Sequence, residues 1–566
     1  MPVNKSLPTQ DEIKKWFLDV PPVPEGTFEF ALVLGGTVSA GAYTAVAVDF
    51  LIEALDCFAN AKRANRAPRH NVSLKLIAGA SGGGVNAAVA ARALAYDFPP
   101  VSRSTPAGDA GTGNPFYDVW INALRLERFL DSSDIKGDLK SLLNGTPIDV
   151  GAEGIIRFGA SRAPTAREWV AAPLRVILTV TSLRGVPFKT DLGNGLTQSY
   201  VDHADYARFA LLYPGQILGE PRPDELVLPF KDERTPQATT WEDFSQFARA
   251  TAAFPLGFPP QALARPTEHY RWRVVPYPPG PEGASTFLAR LPDWQAMVPA
   301  GASDVPSDWH FLAVDGGATD NEPIQLARTS LCGLLNRNPR DPKTANRAVW
   351  LIDPFAGKAV LGPDAQGDFV TAASAVITTL TQQTRYDSAD ILMAADDRIF
   401  SRFMLTPTRD GLTGADAIAS GGLGAFIGFA CPAFMRFDYL LGRANCQRFL
   451  REQFVLAENN PVFTHWTPDD KSRFRGKVGQ GMLPIIPLFD AAAVDETPDP
   501  WPKGKLDPER YRSAIEARFR AVLEFELSGD LAKSVLAWVG AHATQKNAAE
   551  YIIKAMRASL AKTNLL

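Results

Sequence analysis

The chain has 566 residues, 46% of them hydrophobic and 21% charged, a formal net charge of -4 and four cysteines. That composition describes a globular protein with room for more than one core, and it excludes fibrous, low-complexity and disulfide-framework chains. Slight acidity without a long basic run gives no electrostatic ground for nucleic acid, and the scattered Cys57, Cys332, Cys431 and Cys446 fit a reducing compartment.

Residues 1–27 form an N-terminal segment in which Asp11, Glu12, Lys14 and Lys15 stand where a secretory leader needs an unbroken apolar core. Export by that route is not expected. A strand is predicted at Phe28–Leu34, then the loop Gly35-Gly36-Thr37-Val38-Ser39-Ala40-Gly41, then a helix over Ala42–Leu55 with apolar residues at helical spacing. The apolar run Leu74–Ala78 leads into Gly79-Ala80-Ser81-Gly82-Gly83, and the small residues Val85–Ala91 continue as a helix. Strand, sharp turn and helix in that order lift the Ser81 hydroxyl to the carboxyl edge of a sheet, at the positive end of a helix. Glycines flank the serine because strand and helix approach too closely for side chains there. Standing alone, the same five residues also suit a structural turn.

Residues 101–115 form a polar loop rich in glycine and proline, and Leu174–Val180 reads as a buried strand. The small residues Ala248–Ala253 run into Phe254-Pro255-Leu256-Gly257-Phe258-Pro259-Pro260, a tight packing segment beside an apolar groove. Residues 255–285 are proline-rich and irregular. Strands recur at Phe311–Val314 and Ala348–Ile352, and the first is followed by Asp315-Gly316-Gly317-Ala318-Thr319-Asp320-Asn321-Glu322-Pro323. An aspartate at a strand end sits at the same sheet edge as the serine turn. By itself it would be an Asx turn. Beyond residue 361 the pattern turns helical: Phe369–Thr381, Cys446–Glu458, Pro508–Glu526, Ser534–Val539 and Ala548–Ala561. The uncharged stretch Ala417–Met435 has the length of a membrane span, but Gly421, Gly422, Gly424, Gly428 and Pro432 favour a buried segment or a membrane-facing surface.

Alternating strands and helices predict an α/β fold with a mainly parallel sheet. The glycine loop after the first strand exposes backbone N–H groups that bind an anion. A dinucleotide or phosphate site is disfavoured, since Gly-x-Gly-x-x-Gly and the P-loop lysine are both missing. Next to a serine turn, the loop reads instead as an oxyanion hole.

The order of these segments resembles the patatin-like phospholipases: a glycine-rich loop, Gly-x-Ser-x-Gly, small residues ending in Phe-Pro, then Asp-Gly-Gly with Asn-x-Pro downstream. Arg436-Phe437-Asp438-Tyr439-Leu440-Leu441-Gly442-Arg443 further resembles the C-terminal extension of larger bacterial relatives of that family. The resemblance implies a three-layer α/β/α domain over 28–360, with insertions near 100–170 and 255–300, and a mostly helical extension over 361–566. It implies Ser81 as nucleophile and Asp315 as its base in a dyad without histidine. Backbone amides of Gly35, Gly36, Thr37, Val38 and Gly41 would form the oxyanion hole, with Gly79, Gly83, Gly316 and Gly317 as motif glycines. Two positions depart from the pattern: Thr37 follows Gly36 where a third glycine is usual, and Ala40 precedes Gly41 where a basic residue is usual.

The implied activity is a lipid acyl hydrolase of phospholipase A or lysophospholipase type, cytoplasmic, with transient contact at a membrane surface. An acyltransferase or non-lipid esterase using the same dyad is the alternative, as is a silent protein that binds a lipid or partner. A Ser-His-Asp triad would need His465 or His542, the histidines that follow Asp315. No His-Glu-x-x-His, paired Cys-x-x-Cys or acidic calcium loop occurs, so neither metal nor cofactor is expected. Asp353 reads as a strand-end residue and Asp387 as a solvated helix charge. Phe254, Phe258, Trp272 and the run Ile418–Phe434 are candidates to line an apolar entrance, with plain core the favoured alternative for each.

Overall fold

The computed structural model describes residues 9–17, 20–106, 111–214, 216, 221–230, 238–277, 286–298, 305–334, 336–355, 393–394, 396, 398–475, 481–527 and 545–566. Among the described residues its centre is a nine-stranded sheet. The strands used below are β1 (Thr27–Leu34), β2 (Asn71–Gly79), β3 (Val170–Gly193), β4 (Leu196–Leu212), β5 (Glu225–Pro229), β6 (Gln261–Pro266), β7 (Asp308–Asp315), β8 (Arg347–Ile352) and β9 (Arg402–Leu405). They run in the order β9-β8-β1-β2-β3-β4-β5, with β7 added to β3 and β6 to β7. Pairings from β9 through β3 are all parallel, whereas β3 is antiparallel to both β4 and β7. The sheet is therefore mainly parallel, in an α/β fold.

The pleat sorts β1 between two cores. Phe28, Phe30, Leu32 and Leu34 enter the large cluster on one face, and Ala31 and Val33 enter the smaller one on the other. Helices α1 (Gly41–Arg63) and α2 (Ser81–Ala93) cover the large face, while α5 (Ile324–Cys332) packs Ile324, Ala327 and Leu331 on the small one. Between them in sequence lie α3 (Thr146–Arg157) and α4 (Trp241–Thr251). Among the described residues, Val38–Arg63 is the one helix long and apolar enough to cross a membrane, and 89% of its most apolar window is buried in the protein. It is a core helix.

Chain beyond residue 361 adds β9 to the same sheet and lays helix α6 (Pro432–Glu452) along α1. Gly442 permits that approach, since a Cβ there would lie 2.5 Å from a Val46 methyl. The helix expected at Cys446–Glu458 begins earlier, at Pro432, and Val455–Ala457 is a short strand. Arg436, Asp438 and Arg443 obscure the apolar period because they are buried with partners; Arg443, for instance, pairs with Glu53 at 2.6 Å and Glu496 at 2.7 Å. The Ala417–Met435 stretch is not a span: short 3-10 turns lead from Gly414 to Ala430 into α6. Helices α7 (Arg512–Leu527) and α8 (Gln545–Lys562) match two expected segments; Phe369–Thr381, Ser534–Val539 and Asp387 lie outside the described residues. Residues 255–285, expected to be irregular, include β6, which pairs with β7 over its whole length.

Candidate active site

Sheet topology brings Ser81 and Asp315 together. β2 runs parallel to β3 and ends with Gly79 opposite Leu178. β7 runs antiparallel along the same edge of β3 and ends with Asp315 opposite Val180. Two carboxyl ends thus meet head to head, two residues apart on β3. The turn after β2 and the last residue of β7 have to face each other.

Ser81 opens α2 with φ +53, a left-handed conformation that a residue with a Cβ holds only when its surroundings impose it. Its N–H donates to Thr251 Oγ1 at 2.9 Å, and its Oγ donates to Asp315 Oδ2 at 2.5 Å. Gly83 shows why no side chain fits behind the serine: a Cβ there would sit 2.1 Å from the Leu34 carbonyl oxygen. Asp315 is fixed as tightly. Its N–H donates to the Ala253 carbonyl at 2.9 Å, and its carbonyl accepts from the Thr181 hydroxyl at 2.8 Å. Oδ1 accepts the Gly317 N–H at 2.7 Å, leaving Oδ2 for the serine. Burial raises the Asp315 carboxyl to about 7, against the pull of the Ser81 and Gly317 donors.

The glycine loop lies beside this pair. Val38 has φ +48, a strained state for a β-branched residue, and its side chain lines the cavity with Ser81. Three of the five expected oxyanion donors are already engaged. The Gly35 N–H donates to Ile352 O at 3.2 Å, that of Gly36 to Asn321 O at 3.3 Å, and that of Gly41 to Ser39 and Val38 within the loop. This corrects the sequence reading: parallel pairing with β8 and the Asn321 turn consume the first two amides. Thr37 and Val38 keep amides without an acceptor among the described residues. The Thr37 hydroxyl is also buried without a partner there, beside Gly82. Gly41 has a steric role, since a Cβ would lie 2.0 Å from the Trp120 ring. Trp120 in turn donates to Asn86 Oδ1 at 2.7 Å, and Asn86 donates to Gly41 O at 2.9 Å.

Over Ser81 stands a cavity whose walls are almost wholly apolar. Trp120, Phe129 and α3 form one part of the wall, and Ala248–Phe258 supplies Phe254 and Phe258. Phe426 and Phe429 come from the Gly-rich run: Phe426 packs on Phe254 at 5.5 Å between ring centroids, and Phe429 on Phe129 at 5.2 Å. That run is anchored by Asp438, whose carboxylate accepts the Ala419 N–H at 2.6 Å and the Ser420 N–H at 3.0 Å. Trp272, expected at the entrance, instead packs edge-on against Trp16 at 5.6 Å.

No described histidine hydrogen-bonds to Ser81 or Asp315. His465 lies against Gly26, and His542 is outside the described residues. His70 lies 2.8 Å from Ile485 O and accepts the Trp466 indole N–H at 3.0 Å; burial lowers its pKa to about 4, against the pull of the Ile485 carbonyl. Among the described residues no group of three or more His, Cys, Asp or Glu is placed to hold a metal. Asp353 closes the turn after β8 by accepting the Phe355 N–H at 2.8 Å. Asn86 carried no sequence signal, and Thr251, Ala253 and Asn321 lie in motif segments that assigned them no individual role. Their partners are chosen by tertiary contact.

The sequence profile of patatin-like phospholipases matches residues 32–328. An uncharacterized protein, y4iI of Sinorhizobium fredii (strain NBRC 101917 / NGR234), is 30% identical over 554 residues, which cover 88% of this chain and 76% of that protein.

Proposed function

Since the chain belongs to the patatin-like phospholipase family, we propose that it hydrolyses fatty-acyl esters of lipids through a Ser81–Asp315 dyad, with phospholipids or lysophospholipids as substrates. The observation that carries the reading is the 2.5 Å contact between Ser81 Oγ and Asp315 Oδ2 beside an apolar cavity.

In this mechanism Asp315 takes the Ser81 hydroxyl proton as Oγ attacks the ester carbonyl. A carboxyl lifted to about 7 is a far better base than a solvated aspartate near 4. Charge on the former carbonyl oxygen is met by the Thr37 and Val38 amides; one such donor is worth roughly 3 kcal/mol in the transition state. The C–O bond then breaks, the protonated Asp315 gives its proton to the leaving alkoxide, and Ser81 holds the acyl group. Water attacks that ester, Asp315 takes its proton and returns it to Ser81 Oγ, and the fatty acid departs. The cavity shelters the acyl chain and excludes water from the carboxylate. No metal or cofactor takes part. A cytoplasmic setting with transient membrane contact suits the four unpaired cysteines.

A fluorophosphonate probe tests the nucleophile. We expect one adduct per chain, located at Ser81 by peptide mass spectrometry, and strongly slowed labelling in Asp315→Asn. An adduct elsewhere, or equal labelling of Ser81→Ala, would refute the assignment.

A further inference from the structure

Two leucines near the cavity are held in a backbone conformation that leucine disfavours, with side chains turned to solvent. Leu256 has φ +64 and is 68% exposed; Leu423 has φ +53 and is 37% exposed. A left-handed backbone crowds the Cβ against the carbonyl, and an aliphatic side chain in water gains nothing in return. Each leucine is thus unfavourable twice. Both adjoin the site: Leu256 stands between the cavity-lining Phe254 and Phe258, and Leu423 stands three residues before Phe426. Two further exposed apolar side chains join them. Leu142 donates its N–H to Leu256 O at 2.9 Å, and Val150 precedes the cavity-lining Gly151 on α3. Single exposed leucines are ordinary, whereas a group gathered beside an apolar cavity marks a contact surface.

We propose that Leu142, Val150, Leu256 and Leu423 form an apolar rim that seats the cavity on the surface of a lipid bilayer. The inference rests on the acyl-ester reading of the cavity. An acyl chain passing from a bilayer to Ser81 stays out of water only if the rim itself lies in hydrocarbon. A water-soluble ester needs no such rim. Leucine and valine make no electrostatic demand on the head groups. The rim therefore binds neutral lipid, with little response to salt.

The test floats the Ser81→Ala protein with phosphatidylcholine vesicles at low and high salt, alone and carrying Leu256→Asn and Leu423→Asn. Asparagine tolerates the left-handed conformation, so these changes relieve the backbone while removing the apolar surface. The expected result is vesicle binding weakened about tenfold per leucine, at an unchanged or higher melting temperature. The same substitutions beside an intact Ser81 leave hydrolysis of soluble p-nitrophenyl butyrate unchanged. Absent, unaltered or salt-abolished vesicle binding overturns the rim. So does a fall in melting temperature, which would mean that the leucines pack rather than dock. A change from dimer to monomer with vesicle binding intact would make this face a contact between copies and overturn it too. Vesicle binding that falls as expected, in a protein that cleaves no ester, would keep the surface and remove the acyl-hydrolase reading.

Discussion

The buried hydroxyl of Ser39 donates to the carbonyl of Ala425, 386 positions further along the chain. Ser39 follows Val38 in the glycine loop, and Ala425 precedes Phe426 in the cavity wall. One hydrogen bond therefore joins the proposed oxyanion loop to a segment outside the family-matched region. Packing is close there as well, because a Cβ on Gly428 would lie 2.2 Å from Ser39 Oγ. Ser39→Ala should lower kcat on a soluble ester about tenfold, the worth of one buried hydrogen bond, with KM nearly unchanged. An equal rise in KM would show that the bond supports the cavity rather than the loop.

Burial raises Asp315 to about 7, and the dyad needs it as carboxylate. The log of kcat/KM should therefore rise with pH up to about 7 and then level, falling about tenfold per unit on the acid side. Stability carries the opposite sign. With the folded pKa above the unfolded value near 4, the native state holds the extra proton, so this group favours folding below pH 4 and that contribution is lost as pH rises through 7. Melting curves of wild type and Asp315→Asn between pH 4 and 8 check it: the difference should move in favour of the variant as pH rises.

Thr251 accepts the Ser81 N–H, and Gly84 packs on it so closely that a Cβ there would lie 2.5 Å from its methyl. Thr251→Val preserves the shape but leaves a buried donor unpaired. We expect a loss of roughly 1–3 kcal/mol, read as a lower melting temperature, together with reduced kcat. Unchanged stability would mean that another acceptor takes the amide.

Ala152 lines the cavity from α3. Ala152→Phe should fill part of the space above Ser81 and lower the rate on p-nitrophenyl palmitate relative to butyrate about tenfold. Chain-length profiles of wild type and Ala152→Phe measure this directly. An unaltered profile would place the acyl chain elsewhere.

Much of the site was legible in the sequence because close backbone approach demands glycine. Gly79, Gly83, Gly316 and Gly317 surround Ser81 and Asp315 for steric reasons that leave a local signature. The proposed oxyanion loop was readable only as a segment. Which amides remain free depends on Ile352 and Asn321, which arrive from distant chain. The aromatic wall was half legible: Phe254 and Phe258 lie in a compact motif, whereas Phe426 and Phe429 looked like a membrane-length run until Asp438 and α6 placed them. The early start of α6 was hidden because its buried arginines and aspartate mimic a polar surface.

The proposed mechanism requires that Ser81 and Asp315 together cleave lipid esters without a metal. Fatty acid released from mixed phospholipid vesicles, with a chelator present, measures it for wild type, Ser81→Ala and Asp315→Asn. The expected result is release by wild type, none by Ser81→Ala, and release by Asp315→Asn reduced by at least about a hundredfold. Equal release by all three proteins, or release that the chelator abolishes, would contradict it.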